Sequence, residues 1–109
     1  MKYEDLTIKE AKEIAAVFGG SLKETPFSVG EKWFIRTCTY HLTGRITAVV
    51  GGFLRLEKCA WVADSGRFYN SLKDGTMNEV EPMPDGTLVS IASIVDAAPW
   101  HHELPTSQK

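Results

Sequence analysis

The residues best suited to chemistry in this chain fall in "WVADSGRFYN", Trp61–Asn70. Trp61, Phe68 and Tyr69 offer flat faces on which a base can stack. Arg67 offers a planar fork that matches a phosphate. The amides around Ser65 and Gly66, at the start of a short helical segment, can receive an anion. Arg45 and Arg55, on neighbouring strands, add two further cations. Together these groups would take a small nucleotide-type ligand. The stretch also has a plainer reading, in which Trp61 fills a core, Phe68 caps it and Arg67 pairs with an acidic loop residue.

No catalytic constellation accompanies the cluster. GxSxG, HExxH and GKS/T patterns are absent from the chain, and with them the spacings that build a nucleophile elbow, a zinc site or a phosphate loop. Ser65 in "DSG" has no histidine at a spacing that ties it to a base, since the histidines are His41, His101 and His102. Adjacent histidines followed by Glu103 in a polar tail read as solvated side chains rather than metal ligands. Glu79, Glu81 and Asp85 lack the spacing of a calcium loop. The expectation is a non-enzymatic protein with no catalytic residue, no metal and no cofactor.

Composition narrows the class further. The chain has 109 residues, 43% of them hydrophobic and 24% charged, with a formal net charge of −2. That length supports one core, so residues 1–109 are read as a single domain. A slight acidic excess argues against a broad phosphate-binding track, which makes RNA a poor partner. No apolar run approaches the roughly 20 residues that span a bilayer, and "MKYEDLTIKEAKEI" lacks the apolar core of a secretory signal. No membrane partner is expected. Cys38 and Cys59, without a CxxC spacing, read as two thiols in a reducing, cytoplasmic compartment.

The elements that would hold the cluster are legible from periodicity. Thr7 and Glu10 form a capping box, with Leu6 placed to staple onto the first turn. Ile8, Ala11, Ile14, Ala15 and Phe18 then follow at helical spacing, and Gly19–Gly20 ends the run. This predicts a helix over 7–18 that docks across a sheet. A linker over 19–31, punctuated by Pro26 and Gly30, leads to a change of period. Trp33–His41, Thr43–Val50 and Phe53–Val62 alternate and are rich in β-branched and aromatic residues, so they predict a three-stranded meander. Gly51–Gly52 marks its second hairpin.

Within the third strand Leu54 and Leu56 share one face, while strict alternation puts Cys59 and Trp61 on the other. A bulge near Lys58 would return Cys59 and Trp61 to the Leu54 face and bend the strand. Beyond it, Asp64 is placed to cap a short helical insertion that carries Phe68 and Leu72 on one side and ends at Gly75. "NEVEPMPDG" reads as a proline-broken acidic loop, and "TLVSIASIVDAAPW" as two short strands with a break about Ser93. The barrel then covers residues 32–98, and "HHELPTSQK" closes a loosely ordered tail over 99–109.

A helix, three bent strands, an insertion and two short strands form an order that resembles the Sm-like small barrel of Hfq and the Sm proteins. "LTGRITAVVGGFLRLEKC" is similar to the first Sm signature, with Gly44 at the strand-bending glycine and Ile46 at the next apolar position. "LVSIASIVDA" is similar to the second. The resemblance implies a mainly β (α+β) fold, a strongly bent five-stranded Sm-like or SH3-like barrel behind an N-terminal helix. It also implies RNA binding, but the family's RNA-contacting residues are replaced here by Val50, Gly51, Gly52 and Phe53 in one signature and Ala92–Ser93 in the other. Open strand edges favour self-assembly into a ring or dimer.

The phrases "YHLTGRI", "AWVADSGRF", "NEVEP" and "IVDA", with the ending around "WHHELP" and "SQK", resemble a group of small bacteriophage proteins. That resemblance implies a viral protein acting in the host cytoplasm. The leading expectation is an oligomeric protein that captures a small nucleotide-type ligand, such as a host defence signal. The alternatives are a virion assembly protein and a single-stranded RNA-binding Sm-like protein.

Overall fold

The computed structural model describes residues 25–109. The helix expected over 7–18 and the first part of the linker, residues 19–24, lie outside them. The described chain is mainly β: β1 (Lys32–Thr37), β2 (His41–Val50), β3 (Phe53–Asp64), α1 (Phe68–Asp74), β4 (Glu79–Pro82), β5 (Thr87–Ser90) and β6 (Ile94–Pro99). A single 3-10 turn, Ile91–Ser93, joins β5 to β6. The strands form one antiparallel sheet in the order β4-β3-β2-β1-β6, with β5 paired to β3 off that path.

Two features depart from the expected five-stranded barrel. The sheet has six strands, and it is not closed. The sixth strand is β4, drawn from the stretch that reads as an acidic loop. Its alternation is hidden by its charges: Val80 is buried while Glu79 and Glu81 on either side face solvent. One apolar residue between two glutamates is enough to lay a strand against an edge that already exists. That edge belongs to the far half of β3, where Val62 lies opposite Val80.

β3 has room for two partners on one edge because it bends. Phe53–Leu56 pair with β5, and Ala60–Asp64 pair with β4. Between them the ladder to β2 slips, with Arg45 opposite Glu57 but Thr43 opposite Ala60. Lys58 sits in that extra step with φ +48°, and is the one non-glycine residue with positive φ among the described residues. This is the bulge read at Lys58. The loop after β4 straps it: the Met83 amide donates to the Cys59 carbonyl (2.8 Å), the Lys58 amide to Asp85 Oδ1 (2.9 Å) and the Gly86 amide to the Leu56 carbonyl (2.8 Å).

The bulge also sorts the core. Cys59 joins Leu54 and Leu56 in a cluster with Phe27, Ile35, Leu42, Ile46 and Val89, around which the sheet curls. Ala60 and Val62 face the other way, into a second cluster with Phe34, Met77, Val80 and Trp100. That outer cluster is roofed by Phe68 and Leu72 of α1 and by Leu104 of the tail. Burying both faces of so short a chain raises the fraction of apolar surface removed from water.

The tail is therefore not the loose end its polar sequence predicts. Trp100 is 2% exposed, donates its amide to the Lys32 carbonyl (2.9 Å) and its indole N–H to the Glu103 carbonyl (3.1 Å). Val80 and Lys109 then exchange two backbone hydrogen bonds of 3.0 Å each. The strap runs from the β6–β1 side of the sheet to the far edge of β4, four strand spacings or roughly 19 Å. Its residues can span that distance comfortably, at about 3.3 Å each when extended.

The remaining boundaries shift for local reasons. The expected strand Trp33–His41 is cut at Thr37, whose hydroxyl accepts from the amides of Thr39 and Tyr40 and donates to the Tyr40 carbonyl, so Cys38–Tyr40 turn. Asp64 does not cap α1. Its carboxylate accepts from the Gly66 amide (2.8 Å), and the cap position falls to Arg67, which makes no side-chain capping bond. Gly75 ends α1 as expected, in the left-handed region at φ +74° with its amide on the Ser71 carbonyl.

Candidate functional site

The residues of the candidate cluster do not converge. Trp61 keeps its place on the curled face of β3, because Cα partners across an antiparallel pair share a face and Trp61 lies opposite Leu42 and Glu81. Phe68 turns to the outer face, edge-on to Phe34 with ring centroids 5.2 Å apart. Tyr69, one residue on, points away and is 71% exposed. Arg67 is exposed, and its side chain makes no hydrogen bond or ion pair among the described residues. Of the two readings of "WVADSGRFYN", Phe68 follows the plainer one.

The Gly66 amide is already engaged. Asp64 Oδ1 takes the Gly66 N–H, and the Ser65 hydroxyl donates to the Gly66 carbonyl at 3.2 Å. Gly66 itself has φ +71°, and a Cβ there would lie 3.2 Å from the Asn78 amide nitrogen, so the turn needs its glycine. Arg45 forms an ion pair with Glu57 directly opposite on β3. Arg55 lies opposite Ala48 and Leu88 and stands exposed.

Another arginine does the stacking that the sequence assigns to the cluster. Arg36 on β1 lies over the Phe68 ring, 4.4 Å from its centroid, and grips Asp96 of β6 with both arms of its fork. The hydrogen bond from Arg36 holds the Asp96 carboxyl below the usual carboxylate range, and the same bond raises the Arg36 guanidinium. This pair stitches β1 to β6, and Arg36 covers the Phe68 ring at the start of α1.

What Trp61 does line is a groove of about 480 Å³. Leu42 and Met83 form its floor beside Trp61, both packed on the inner cluster. Thr39 and Tyr40 come from the β1–β2 turn, Glu81 and Pro82 from the end of β4, and Thr87 and Leu88 from β5. Trp61 and Tyr40 are each 41% exposed, which leaves ring faces available to a ligand. Among the described residues the lining holds one carboxylate, Glu81, and no Lys or Arg. Such a site suits a planar or apolar group with a hydrogen-bond donor directed at Glu81.

Most of this groove is invisible in the sequence. Tyr40 and Trp61 are 21 positions apart by number, and what joins them is the β2–β3 register, while Glu81 and Pro82 arrive only because the acidic loop becomes β4. The signal that could have found them is the alternation Glu79–Val80–Glu81. Among the described residues no three His, Cys, Asp or Glu side chains are grouped to hold a metal ion. His102 has a packing role, with Nε2 2.7 Å from the Leu72 carbonyl and its ring edge-on to Trp100. No helix of the described residues is long and apolar enough to cross a membrane. Comparison of the chain with protein-family models, with curated proteins and with solved structures finds no match.

Proposed function

We propose that this chain is a non-enzymatic, self-assembling binding protein of Sm-like or SH3-like type that captures a small nucleotide-type ligand by its base. The observation that carries this reading is the groove between Trp61 and Tyr40, two half-exposed aromatics over an apolar floor. A purine placed there stacks on Trp61 and directs its ring or exocyclic N–H groups at Glu81. Its phosphates lie toward solvent, since no cation among the described residues lines the groove. This differs from a site centred on Arg67, which stands outside the lining.

Support for the Sm-like part is the order of elements, a bent meander followed by a short strand, a 3-10 turn and a last strand returned to β1. Support for self-assembly is that among the described residues β5 and β6 each pair on one side only, with Leu88 and Val95 exposed on them. Unpaired edges of this kind attract a second chain. A protein encoded by a phage and acting in the host cytoplasm would use such an assembly to sequester a signalling nucleotide. The same edges also favour the alternative of a virion assembly protein without a ligand.

Calorimetric titration with purine and pyrimidine nucleotides, cyclic dinucleotides and ADP-ribose derivatives tests the reading, with native mass spectrometry for subunit number. Stacking on an aromatic contributes about 1–3 kcal/mol per base. Trp61→Ala should therefore weaken binding roughly 5- to 150-fold while the melting temperature changes little. A wild-type protein that assembles but binds none of the panel would leave the assembly reading in its place.

A further inference from the structure

We propose that a second pocket, on the opposite face of the sheet and beneath the C-terminal strap, binds a phosphate-type oxyanion, either free or as the terminal group of a small phosphorylated molecule. The pocket has a volume of about 380 Å³ and is lined by Lys32, Arg45, Lys58, Glu103, Leu104 and Thr106. Three cations thus face one carboxylate, with a hydroxyl from Thr106 beside them. The cations come from three adjacent strands, and Ile46 and Leu56 on the curled face place Arg45 and Glu57 on the outer one.

The arrangement carries electrostatic and conformational costs that packing does not require. Lys32 and Arg45 are direct Cα partners across β1 and β2, a like-charge pair that disfavours the sheet. Glu57 offsets Arg45 on its other side, and neither lysine has an ion pair among the described residues. Lys58 occupies the bulge at φ +48°, where glycine would sit without strain. Its amide is held by Asp85, so the backbone at the pocket wall is fixed, while its ammonium makes no ion pair among the described residues.

The strap completes the site. Lys32 Nζ donates to the His102 carbonyl at 2.5 Å, which anchors this lysine under the tail and leaves two of its three donors for a ligand. Leu104 and Thr106 follow on the same strap. A tetrahedral oxyanion accepts hydrogen bonds from several directions at once, so one phosphate can engage Lys32, Arg45 and Lys58 together and remove their mutual repulsion. A net charge of −2 over the whole chain leaves no continuous track for a nucleic-acid backbone. The pocket therefore suits a small anion.

Lys58 is the residue to change, because it is exposed and its ammonium makes no hydrogen bond or ion pair among the described residues. Calorimetric titration is made with inorganic phosphate, ribose 5-phosphate and ribose, which carry no base for the groove, on wild type, Lys58→Met, Lys58→Gly and the control Lys73→Met, which lies outside the pocket lining. Wild type and Lys73→Met are expected to bind phosphate, and both Lys58 variants to bind it about tenfold more weakly or worse. Lys58→Gly relieves the positive φ and should melt no lower than wild type, so lost binding there reports charge and not unfolding. Equal affinity for phosphate and the sugar phosphate assigns a free-anion site, and tighter sugar-phosphate binding assigns the terminal group of a larger molecule. Undiminished binding in both Lys58 variants, no binding of either anion to wild type, or ribose binding as well as its phosphate would each overturn the proposal. Trp61→Ala should leave this pocket unchanged, which separates its failure from that of the groove.

Discussion

Val80 and Lys109 exchange both of their backbone hydrogen bonds, each 3.0 Å long, so the strap pairs with the outer edge of β4. An edge strand of four residues is thereby covered on the side that faces away from β3. The anchor at the other end is Trp100, fully packed against Phe34 with ring centroids 5.9 Å apart. Trp100→Ala should destabilise the protein by about 3–5 kcal/mol, as loss of a buried aromatic does. Hydrogen exchange should show the Val80 and Lys109 amides protected in wild type and exchanging freely in the variant. Fast exchange in wild type would mean the strap does not hold.

Gly75 and His102 make a second, stricter contact. A Cβ at Gly75 would come 2.7 Å from His102 Cγ, and the residue already needs φ +74°. Gly75→Ala must therefore strain the end of α1 and push His102 off the Leu72 carbonyl. A loss of about 1–3 kcal/mol is expected, from the backbone strain and the displaced ring together. Thermal melts check it, and an unchanged midpoint would show that the strap yields without cost.

Gly44 should also resist substitution, for a reason that lies on the facing strand. It sits where the β2–β3 ladder slips, and a Cβ there would be 3.3 Å from both Cβ and Cδ1 of Leu56 and 3.5 Å from Cys59 Cα. The neighbours are core residues with little room to retreat. Gly44→Val adds two more carbons to that contact, and overpacking of this kind costs about 1–3 kcal/mol or more. Soluble yield and melting temperature are the readouts. Wild-type values for both would contradict the close approach of β2 to the bulge.

The two cysteines should react at very different rates. Cys38 is exposed in the β1–β2 turn, whereas Cys59 is buried in the inner cluster and burial pushes its thiol up to about 11. A raised thiol pKa favours the protonated form in the folded state, so its contribution to stability is full below about 9, the ordinary value of the thiol, and is lost as pH rises through about 11. Iodoacetamide at neutral pH should label one cysteine per chain quickly. The second should follow only at the rate of unfolding, and rapid labelling of both would place Cys59 outside the core.

The Arg36–Asp96 pair gives the opposite pH dependence. The carboxyl is depressed by its bond to Arg36, so its stabilisation is present above the ordinary carboxylate range and disappears as pH falls through the lowered value. Asp96→Asn should lower the melting temperature at neutral pH, modestly because both side chains are well exposed. The gap to wild type should close in acid, once the Asp96 carboxyl is protonated. A gap that persists there would assign the effect to packing of Phe68 under Arg36 and not to charge.

The sequence by itself determined the meander, the bulge and the punctuation. Alternation in β2 and β3 marks both strands, and the broken alternation after Leu56 locates the extra residue at Lys58. Gly75 stops α1 because only a left-handed residue ends a helix there. These are local properties, decided by side chains within a few positions of one another. The tertiary structure decided what each exposed-looking segment met. Glu79–Pro82 became a strand because bent β3 presents an empty edge, and residues 100–109 became a strap because Trp100 has an outer apolar cluster to fill. The candidate cluster around Arg67 came apart for the same reason: the two faces of β3 part Trp61 from Phe68, and α1 turns Tyr69 away. Contiguity in the chain brings residues together only where the backbone keeps them on one face. The Trp61–Tyr40 groove and the Lys32–Arg45–Lys58 pocket arise from register and long-range pairing, which no local pattern encodes.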